Sequence, residues 1–394
     1  MTRQIEIRYN VDMITSSQYV TGQTRKYFAN QELEYACFVP PSVNREFLLT
    51  NKLAEHNEEA MRLLGELNAY SSFVPDVDFF ISMHVRKEAV QSSRIEGTYT
   101  DIDEVVLSEE DVSPEKRDDW REVQNYIKAL NYSTLGLQRL PLAIRLLNET
   151  HKVLLEGTRG EGKTPGEVRT KQNWIGGAGP GSAIFIPPHI DFVPEALSDL
   201  EAFWHNRSIS MPKLIRIAIT HYQFETIHPY ADGNGRIGRL LIMLQLMNYG
   251  LMAKPTLYMS DFFEKNRQSY YDALTEVRTH QNLDHWLAFF LDGIIASANS
   301  GKQKFERIME LRSQYMERVL QLGRRAERAN QLITALYASP VINVSGASEL
   351  LGISPSNVNL LISEMVRLNI LKEVTGFSRN RLFVLDEYLK IFRT

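Results

Sequence analysis

Twelve consecutive positions constrain this chain more than any others: His228-Pro229-Tyr230-Ala231-Asp232-Gly233-Asn234-Gly235-Arg236-Ile237-Gly238-Arg239. Upstream, Leu214, Ile215, Ile217, Ala218 and Ile219, followed by Tyr222 and Phe224, form an apolar run long enough for a buried helix. Pro229 disfavours helical geometry in the residue before it, so His228 falls at a helix end. Asp232 to Gly235 is turn chemistry, and from Arg236 the residues Ile237, Leu240, Leu241 and Leu244 return at helical spacing. The loop therefore opens a second helix.

A glycine-rich turn feeding a helix presents unpaired backbone N–H groups and the positive end of the helix dipole, which suits an anion. Arg236 and Arg239, three apart, lie on one helix face and add two guanidinium forks. The anion this set fits is a polyphosphate. Asp232 offers one hard oxygen to Mg²⁺, which usually takes only one or two carboxylates and shares its other positions with phosphate and water. His228, with an ordinary imidazole pKa of about 6.5, can accept a hydroxyl proton near neutral pH. His221, Glu225 and His228 also lie along one helix flank like metal ligands, but without the His-Glu-x-x-His spacing of zinc proteases.

The segment resembles the signature of the Fic family: His-Pro-Phe, two residues, Gly-Asn-Gly-Arg, two residues, Arg. Tyr230 in place of Phe is the one departure and keeps an aromatic anchor. The resemblance implies an all-helical core that transfers AMP from ATP to a hydroxyl side chain of a protein. By it, His228 is the general base and Asp232 holds Mg²⁺. Gly233, Asn234 and Gly235 cradle phosphates, Arg236 and Arg239 grip the outer ones, and Ile237 and Gly238 complete the ATP-binding stretch. The related Doc-type kinases carry Lys where Gly235 stands, so the resemblance favours AMP transfer here over phosphoryl transfer, which is the alternative chemistry.

Upstream, a helix capped by Asp76 runs through Phe80, Met83, Val85 and Val90 to Ser92-Ser93-Arg94-Ile95-Glu96-Gly97, with Gly97 as the residue past its end. A carboxylate in the last turn opposes the dipole by about 0.3–1 kcal/mol, so Glu96 needs a cation. Ser92 and Glu96 share a face, and Ser-x-x-x-Glu-Gly is similar to the inhibitory helix of Fic proteins that carry one. By that likeness Glu96 pairs with Arg239 and blocks the ATP γ-phosphate, and Ser92 lies against the nucleotide. Val168 to Ile175 and Ile184 to Pro188 flank a Gly-Pro turn and predict a β-hairpin. In Fic proteins the matching element is a flap that binds the target by main-chain pairing, here near Ile184-Phe185-Ile186, bringing a Ser, Thr or Tyr to His228. Asn266, in the stretch opened by Ser260 and Asp261, is the matching candidate for an ATP contact.

The rest sets the frame. Leu48, Leu49 and Leu53, then Met61, Leu63, Leu64 and Leu67, predict helix after Phe38-Val39-Pro40-Pro41, whereas residues 1 to about 35 carry little signal. Near the C-terminus, Ala347 to Pro355 reads as helix, glycine turn, Ser cap and Pro at the first helical position. A second helix carries Val358, Leu361, Ile362 and Met365, and Leu371–Val374 with Arg381–Val384 flank a wing around Phe377-Ser378-Arg379. This is similar to a winged helix-turn-helix. With Asn357 and Asn359 exposed but only Arg367 as a cation on its second helix, it suggests modest phosphate affinity for DNA.

The fold expected is mainly α, a Fic-type helical core with a β-hairpin flap plus a C-terminal winged helix-turn-helix. The divisions expected are 1–105 with the inhibitory helix, 106–300 as catalytic core, 301–325 as helical linker and 326–394 as winged domain. A net charge of −4 gives no footprint for non-specific nucleic-acid binding. A single cysteine, Cys37, suits a reducing compartment, and with no signal-like or membrane-length run the expectation is cytoplasmic. The activity expected is protein adenylyl transfer using ATP and Mg²⁺, autoinhibited by Glu96, with AMP removal left open. Self-modification, a homodimer and DNA are further expected partners. The alternative from another class is a nucleotide-sensing, DNA-binding regulator.

Overall fold

The computed structural model describes residues 22–28, 34–47, 49–73, 77–376 and 380–393. Two helices form its centre: α7 (Lys213–Ile227) and α8 (Asn234–Asn248), joined by the loop that carries the signature. Every residue of α7 from Leu214 to Ile227 is buried, polar ones included. A helix in such a central position is buried on every side.

Around this pair the chain lays α1 (Asn51–Phe73), α2 (Val77–Ile95), the short α3 (Ile102–Val105), α4 (Arg117–Leu137), α5 (Ile144–Leu155) and α6 (Val193–His205). After α8 come α9 (Ser260–Lys265), α10 (Arg267–His280) and α11 (Leu283–Leu320). The leucines expected on α1 are in place: Leu53, Leu63, Leu64 and Leu67 are buried. Leu48, and Asp76 with the cap expected of it, lie outside the described residues. Gly97 does end α2, with φ +93° and its N–H on the Arg94 carbonyl at 3.0 Å.

Three expectations change. The linker at 301–325 is no linker, because α11 runs unbroken across residue 300 for 38 residues. Its charged surface hides the stripe Phe305, Ile308, Leu311, Tyr315 and Val319, all buried. Gly301 lets α11 approach α1 closely; a Cβ there would lie 3.0 Å from Leu67. The flap is not a two-stranded hairpin but one antiparallel bridge, Ile175 to Phe185. Gly176 and Gly177 take φ near +70° and Pro187 and Pro188 have no N–H, so the ladder cannot extend. Finally, two strands form where the sequence carries little signal, β1 (Gln23–Phe28) antiparallel to β2 (Glu34–Val39). The pair continues the flap, since Phe38 donates its N–H to the Ile186 carbonyl at 2.9 Å.

The C-terminal part comprises α12 (Ala326–Ala338), β3 (Val341–Asn343), α13 (Val344–Leu351), α14 (Pro355–Arg367), β4 (Lys372–Glu373), β5 (Leu382–Val384) and α15 (Asp386–Arg393). Its strands form an antiparallel sheet in the order β3-β5-β4. Ser354 caps α14 through the Asn357 N–H and Gly352 ends α13 at φ +62°, as the sequence predicts. Phe377-Ser378-Arg379 lie outside the described residues. This part rests on α2: Phe80 meets Tyr337 at 4.9 Å, and Ser82 donates to the Ala338 carbonyl at 3.0 Å. Among the described residues no helix is long and apolar enough to cross a membrane.

Candidate active site

The α7–α8 turn is held from several sides. His228 closes α7 in the left-handed region, φ 50° and ψ 60°, with its N–H on the Phe224 carbonyl at 2.9 Å. A non-glycine residue there is strained and persists only where its surroundings over-determine it. Arg169 does much of this. Its Nε donates to the His228 carbonyl at 2.9 Å, its backbone N–H to the Pro229 carbonyl at 2.8 Å, and its Nη2 to the Pro188 carbonyl at 2.5 Å. Asn173 adds bonds to the carbonyls of His228 and Tyr230. Replacing Arg169 by Met should lower stability by about 3 kcal/mol, because several buried carbonyls lose a charged donor. Thermal unfolding reads this; an unchanged Tm would show that the loop holds itself.

The His228 ring is oriented by the Glu225 carbonyl, which lies 3.3 Å from Nδ1. That contact places the proton on Nδ1 and leaves Nε2 with a free lone pair. Burial depresses the imidazole to about 4, so it is neutral at pH 7. Tyr230, the departure from the expected Phe, stacks on His151 with centroids 3.9 Å apart, and its hydroxyl donates to Asn148 Oδ1 at 2.8 Å. His151 in turn accepts from the Gly166 N–H at Nδ1 and donates through Nε2 to the Asp232 carbonyl, both at 2.9 Å. Asn234 closes the turn on itself, accepting from the Tyr230 N–H and donating to the Tyr230 carbonyl.

Beyond the turn, the first intrahelical bond of α8 is Ile237 N–H to the Gly233 carbonyl at 3.1 Å. The N–H groups of Asn234, Gly235 and Arg236 precede it, have no intrahelical partner and form the anion cradle. Gly233 supplies the left-handed φ of +75° that the entry needs. Gly238 has another use: a Cβ there would lie 2.1 Å from Glu225 Oε1, so glycine permits the close packing of α7 and α8. Asp232 Oδ1 accepts from the Gly233 N–H at 2.6 Å and lies 3.7 Å from Arg236, while about half of the side chain stays exposed. One accessible carboxylate beside a phosphate cradle fits a Mg²⁺ that would take its other ligands from phosphate and water.

Arg236 is buried and meets Glu122 at 3.4 Å, and Glu122 also accepts from Arg159 and Thr98. Arg239, 1% exposed, makes three bonds to α2 and its end: Nε to Ser92 Oγ at 2.9 Å, Nη2 to the Ser92 carbonyl at 2.9 Å, and Nη2 to Glu96 Oε1 at 2.7 Å. Burial pushes the Glu96 carboxyl up, but the Arg239 guanidinium outweighs it and holds the group below the usual range. The approach depends on Gly235, where a Cβ would lie 2.2 Å from Glu96 Oε1.

The supposed metal flank dissolves. His221 donates from Nδ1 to the Gly238 carbonyl at 3.0 Å and accepts from the Tyr270 hydroxyl at 2.8 Å, so both its nitrogens are spent on packing. No group of three or more metal-ligating side chains occurs among the described residues. Asn266 stands at the α9–α10 junction, donates to the Phe262 carbonyl at 2.9 Å, and lines a cavity between α2, α9 and α11. His228, Asp232, the cradle, both arginines, Ser92 and Glu96 are brought together.

The family models match residues 54–135 as the Fic/DOC family N-terminal region and 141–246 as Fic/DOC. These two regions are those of the Fic/DOC family. It is 31% identical over 125 residues to the protein adenylyltransferase fic-1 of Caenorhabditis briggsae, covering 32% of this chain and 23% of that relative. It is 30% identical over 136 residues to the protein adenylyltransferase Fic of Drosophila ananassae, covering 34% and 25%. The chain thus spans about a quarter of these relatives. A Fic family protein from Desulfovibrio desulfuricans G20 shares the fold with TM-score 0.54 at 19% identity, covering 86% of this chain and 97% of that one. A Fic domain containing signaling protein from Bacteroides thetaiotaomicron VPI-5482 gives 0.52 at 19% identity, covering 62% and 95%.

Arg169, Asn173, His151 and Glu122 are site residues that the sequence reading passed over. Arg169 sits in a β-prone run and His151 inside an ordinary amphipathic helix, so neither carries a local signal. The histidines also set a pH dependence for the Fic core. Burial holds His84 and His221 at about 3, and His151 and His228 at about 4. Each folded value lies below the unfolded value near 6.5, so the unfolded chain binds more protons between them and stability falls as pH drops through that window. At pH 5 each costs about 2 kcal/mol. Glu225, pushed by burial to about 7, opposes them: its contribution is present at low pH and is lost as pH rises through 7. Burial raises the Glu88 carboxyl as well, so the two carboxyls offset part of the histidine loss between pH 7.5 and 5. Thermal unfolding at the two pH values should show a clear fall in Tm; a flat profile would contradict the buried-neutral assignment.

Proposed function

We propose that this protein transfers AMP from ATP to a hydroxyl side chain of a protein target, and that Glu96 restrains the transfer. The observation that carries the reading is one arrangement: an oriented, neutral His228 beside an anion cradle whose second arginine is held by Glu96 at 2.7 Å. The names of the curated relatives agree with it.

In the reaction, the target's hydroxyl oxygen attacks the α-phosphorus while His228 Nε2 accepts its proton. The bond from the α-phosphorus to the bridging oxygen breaks, and pyrophosphate leaves. The cradle N–H groups, Arg236 and Arg239 hold the phosphates in line, so the rate comes from positioning and from charge stabilisation by prearranged donors. Asp232 would hold Mg²⁺, which supplies charge neutralisation on the phosphates. Ser92, Ile237, Gly238 and Asn266 complete the proposed ATP-binding set. With Arg239 paired to Glu96, the γ-phosphate has no free guanidinium to meet.

The target is proposed to dock on the flap. Ile184 is 81% exposed there and Trp174 40% exposed, giving an apolar approach to His228. The Ile186 carbonyl is already taken by Phe38, so the incoming strand pairs elsewhere along the segment. The test is to incubate the wild type, Glu96→Gly and Glu96→Gly/His228→Ala with ATP and Mg²⁺ and weigh the intact proteins. One AMP mass confined to Glu96→Gly supports the reading, whereas a phosphate mass would turn it to a kinase.

DNA contact by the C-terminal part is a second reading, favoured by its order of helix, strand, two helices and hairpin. Asn357 is exposed on α14, while Asn359 accepts from Arg381 at 3.1 Å. Salt-dependent binding of the full chain to duplex DNA, lost on Asn357→Ala/Arg381→Ala, is the expected result.

A further inference from the structure

Beside the signature loop, a groove of about 480 Å³ is lined by Lys163, Arg169, Lys171, Asn173, Trp174 and Ala231, among others. Its walls are fixed to the turn that carries His228. Arg169 and Asn173 bond the carbonyls of His228, Pro229 and Tyr230. The segment bearing Lys163 is tied in by Gly166, whose N–H meets the His151 ring stacked on Tyr230. At its other end Trp174 leads into Ile175, which bridges to Phe185 in the flap. A peptide lying in the groove is therefore continuous with the flap and runs alongside the catalytic turn.

Three side-chain cations line the groove and no carboxylate does. Glu161 and Glu167 belong to the same segment but lie outside the lining set. Asp232, next to Ala231, is engaged by the Gly233 N–H and Arg236. Lys163 and Lys171 are exposed, and their ammonium groups make no hydrogen bond or ion pair among the described residues. Arg169 is 4% exposed, and its guanidinium bonds only carbonyls, so no carboxylate neutralises it. Burial pushes it down to about 10, which leaves it charged at neutral pH.

Unanswered cations on a concave wall focus a positive potential there. Trp174, 40% exposed, adds an indole of the kind that anchors interfaces. An anionic partner with an apolar part answers both features. Single-stranded nucleic acid shares that chemistry, but three cations give too short a track for its backbone, and the chain's net charge is −4. Continuity with the flap favours a protein segment.

We propose that this groove binds an acidic stretch of the target beside its acceptor hydroxyl, Lys163 and Lys171 reading the carboxylates and Trp174 covering an apolar neighbour. The inference rests on the proposed transfer to a protein hydroxyl and adds what that reading leaves open, the chemistry by which a target is chosen. Main-chain pairing on the flap reads side chains loosely, whereas the groove discriminates by charge.

Fluorescence anisotropy of the full chain tests the groove without requiring turnover. One labelled peptide carries a threonine flanked by glutamates; its counterpart has lysines in their place. The wild type should bind the acidic peptide more tightly, and the difference should shrink as salt rises. Lys163→Glu/Lys171→Glu should lose about tenfold for it, as two exposed charge pairs turn repulsive, and should come to prefer the basic peptide. A merely structural role of the lysines would not swap the preference. If that variant does not fold, Lys163→Gln/Lys171→Gln should abolish the preference. Trp174→Ala should weaken the acidic peptide without restoring the basic one. In the Glu96→Gly background the lysine reversal should raise KM for the acidic peptide and leave KM for ATP unchanged. Selective binding without AMP transfer would uphold the groove and remove the transfer reading alone. Equal binding of the two peptides, a preference that survives the reversal, a raised KM for ATP, or tighter binding of oligothymidylate than of the acidic peptide overturns the proposal.

Discussion

Replacement of His228 by alanine is expected to lower AMP transfer about 10²–10⁴-fold, the usual worth of a positioned general base. ATP affinity should stay close to that of the wild type, since the phosphates are held by the α8 cradle and the two arginines. The base is prepared by geometry. Nδ1 is turned to the Glu225 carbonyl, the ring is neutral because it is buried, and the backbone is locked by Arg169. Single-turnover transfer with nucleotide binding measured in parallel separates the two effects. Transfer surviving at the wild-type rate would send the proton to another acceptor.

Glu96→Gly should act in the opposite direction. Removing the carboxylate frees Arg239 Nη2, which keeps its bond to the Ser92 carbonyl and gains the capacity to meet a phosphate oxygen. A charge-assisted hydrogen bond is worth about 1.5–3 kcal/mol. Glu96 is 36% exposed, so solvent screening places its share at the lower end. Productive ATP binding and self-labelling should therefore rise about tenfold. Equal ATP titrations for mutant and wild type would remove the restraint from the proposal while leaving the catalytic histidine untouched. Combining the two substitutions should restore silence, because a freed cradle without a base positions ATP but does not activate the hydroxyl.

Most of the functional centre was legible before any coordinates. Pro229 after His228, the turn residues from Asp232 and the return of helical spacing at Ile237 are local patterns, and the cradle at the α8 N-terminus follows from them. The Glu96–Arg239 pair was legible only through resemblance, its partners being separated by 143 positions. The flap was overread: β-prone residues on both sides suggested strands, but two left-handed glycines and two prolines reduce them to one bridge. The α11 continuity was underread, because a charged face masked its apolar stripe.

What the sequence by itself determined is the short-range geometry: which residues end a helix, turn left-handed or expose N–H groups is settled by neighbours a few positions away. What only the tertiary structure decided is the company those residues keep. Arg169 on the His228 carbonyl and His151 beneath Tyr230 come from distant segments that no periodicity links. Their meeting depends on how helices pack, and packing is an outcome of the whole chain's burial rather than of any local run.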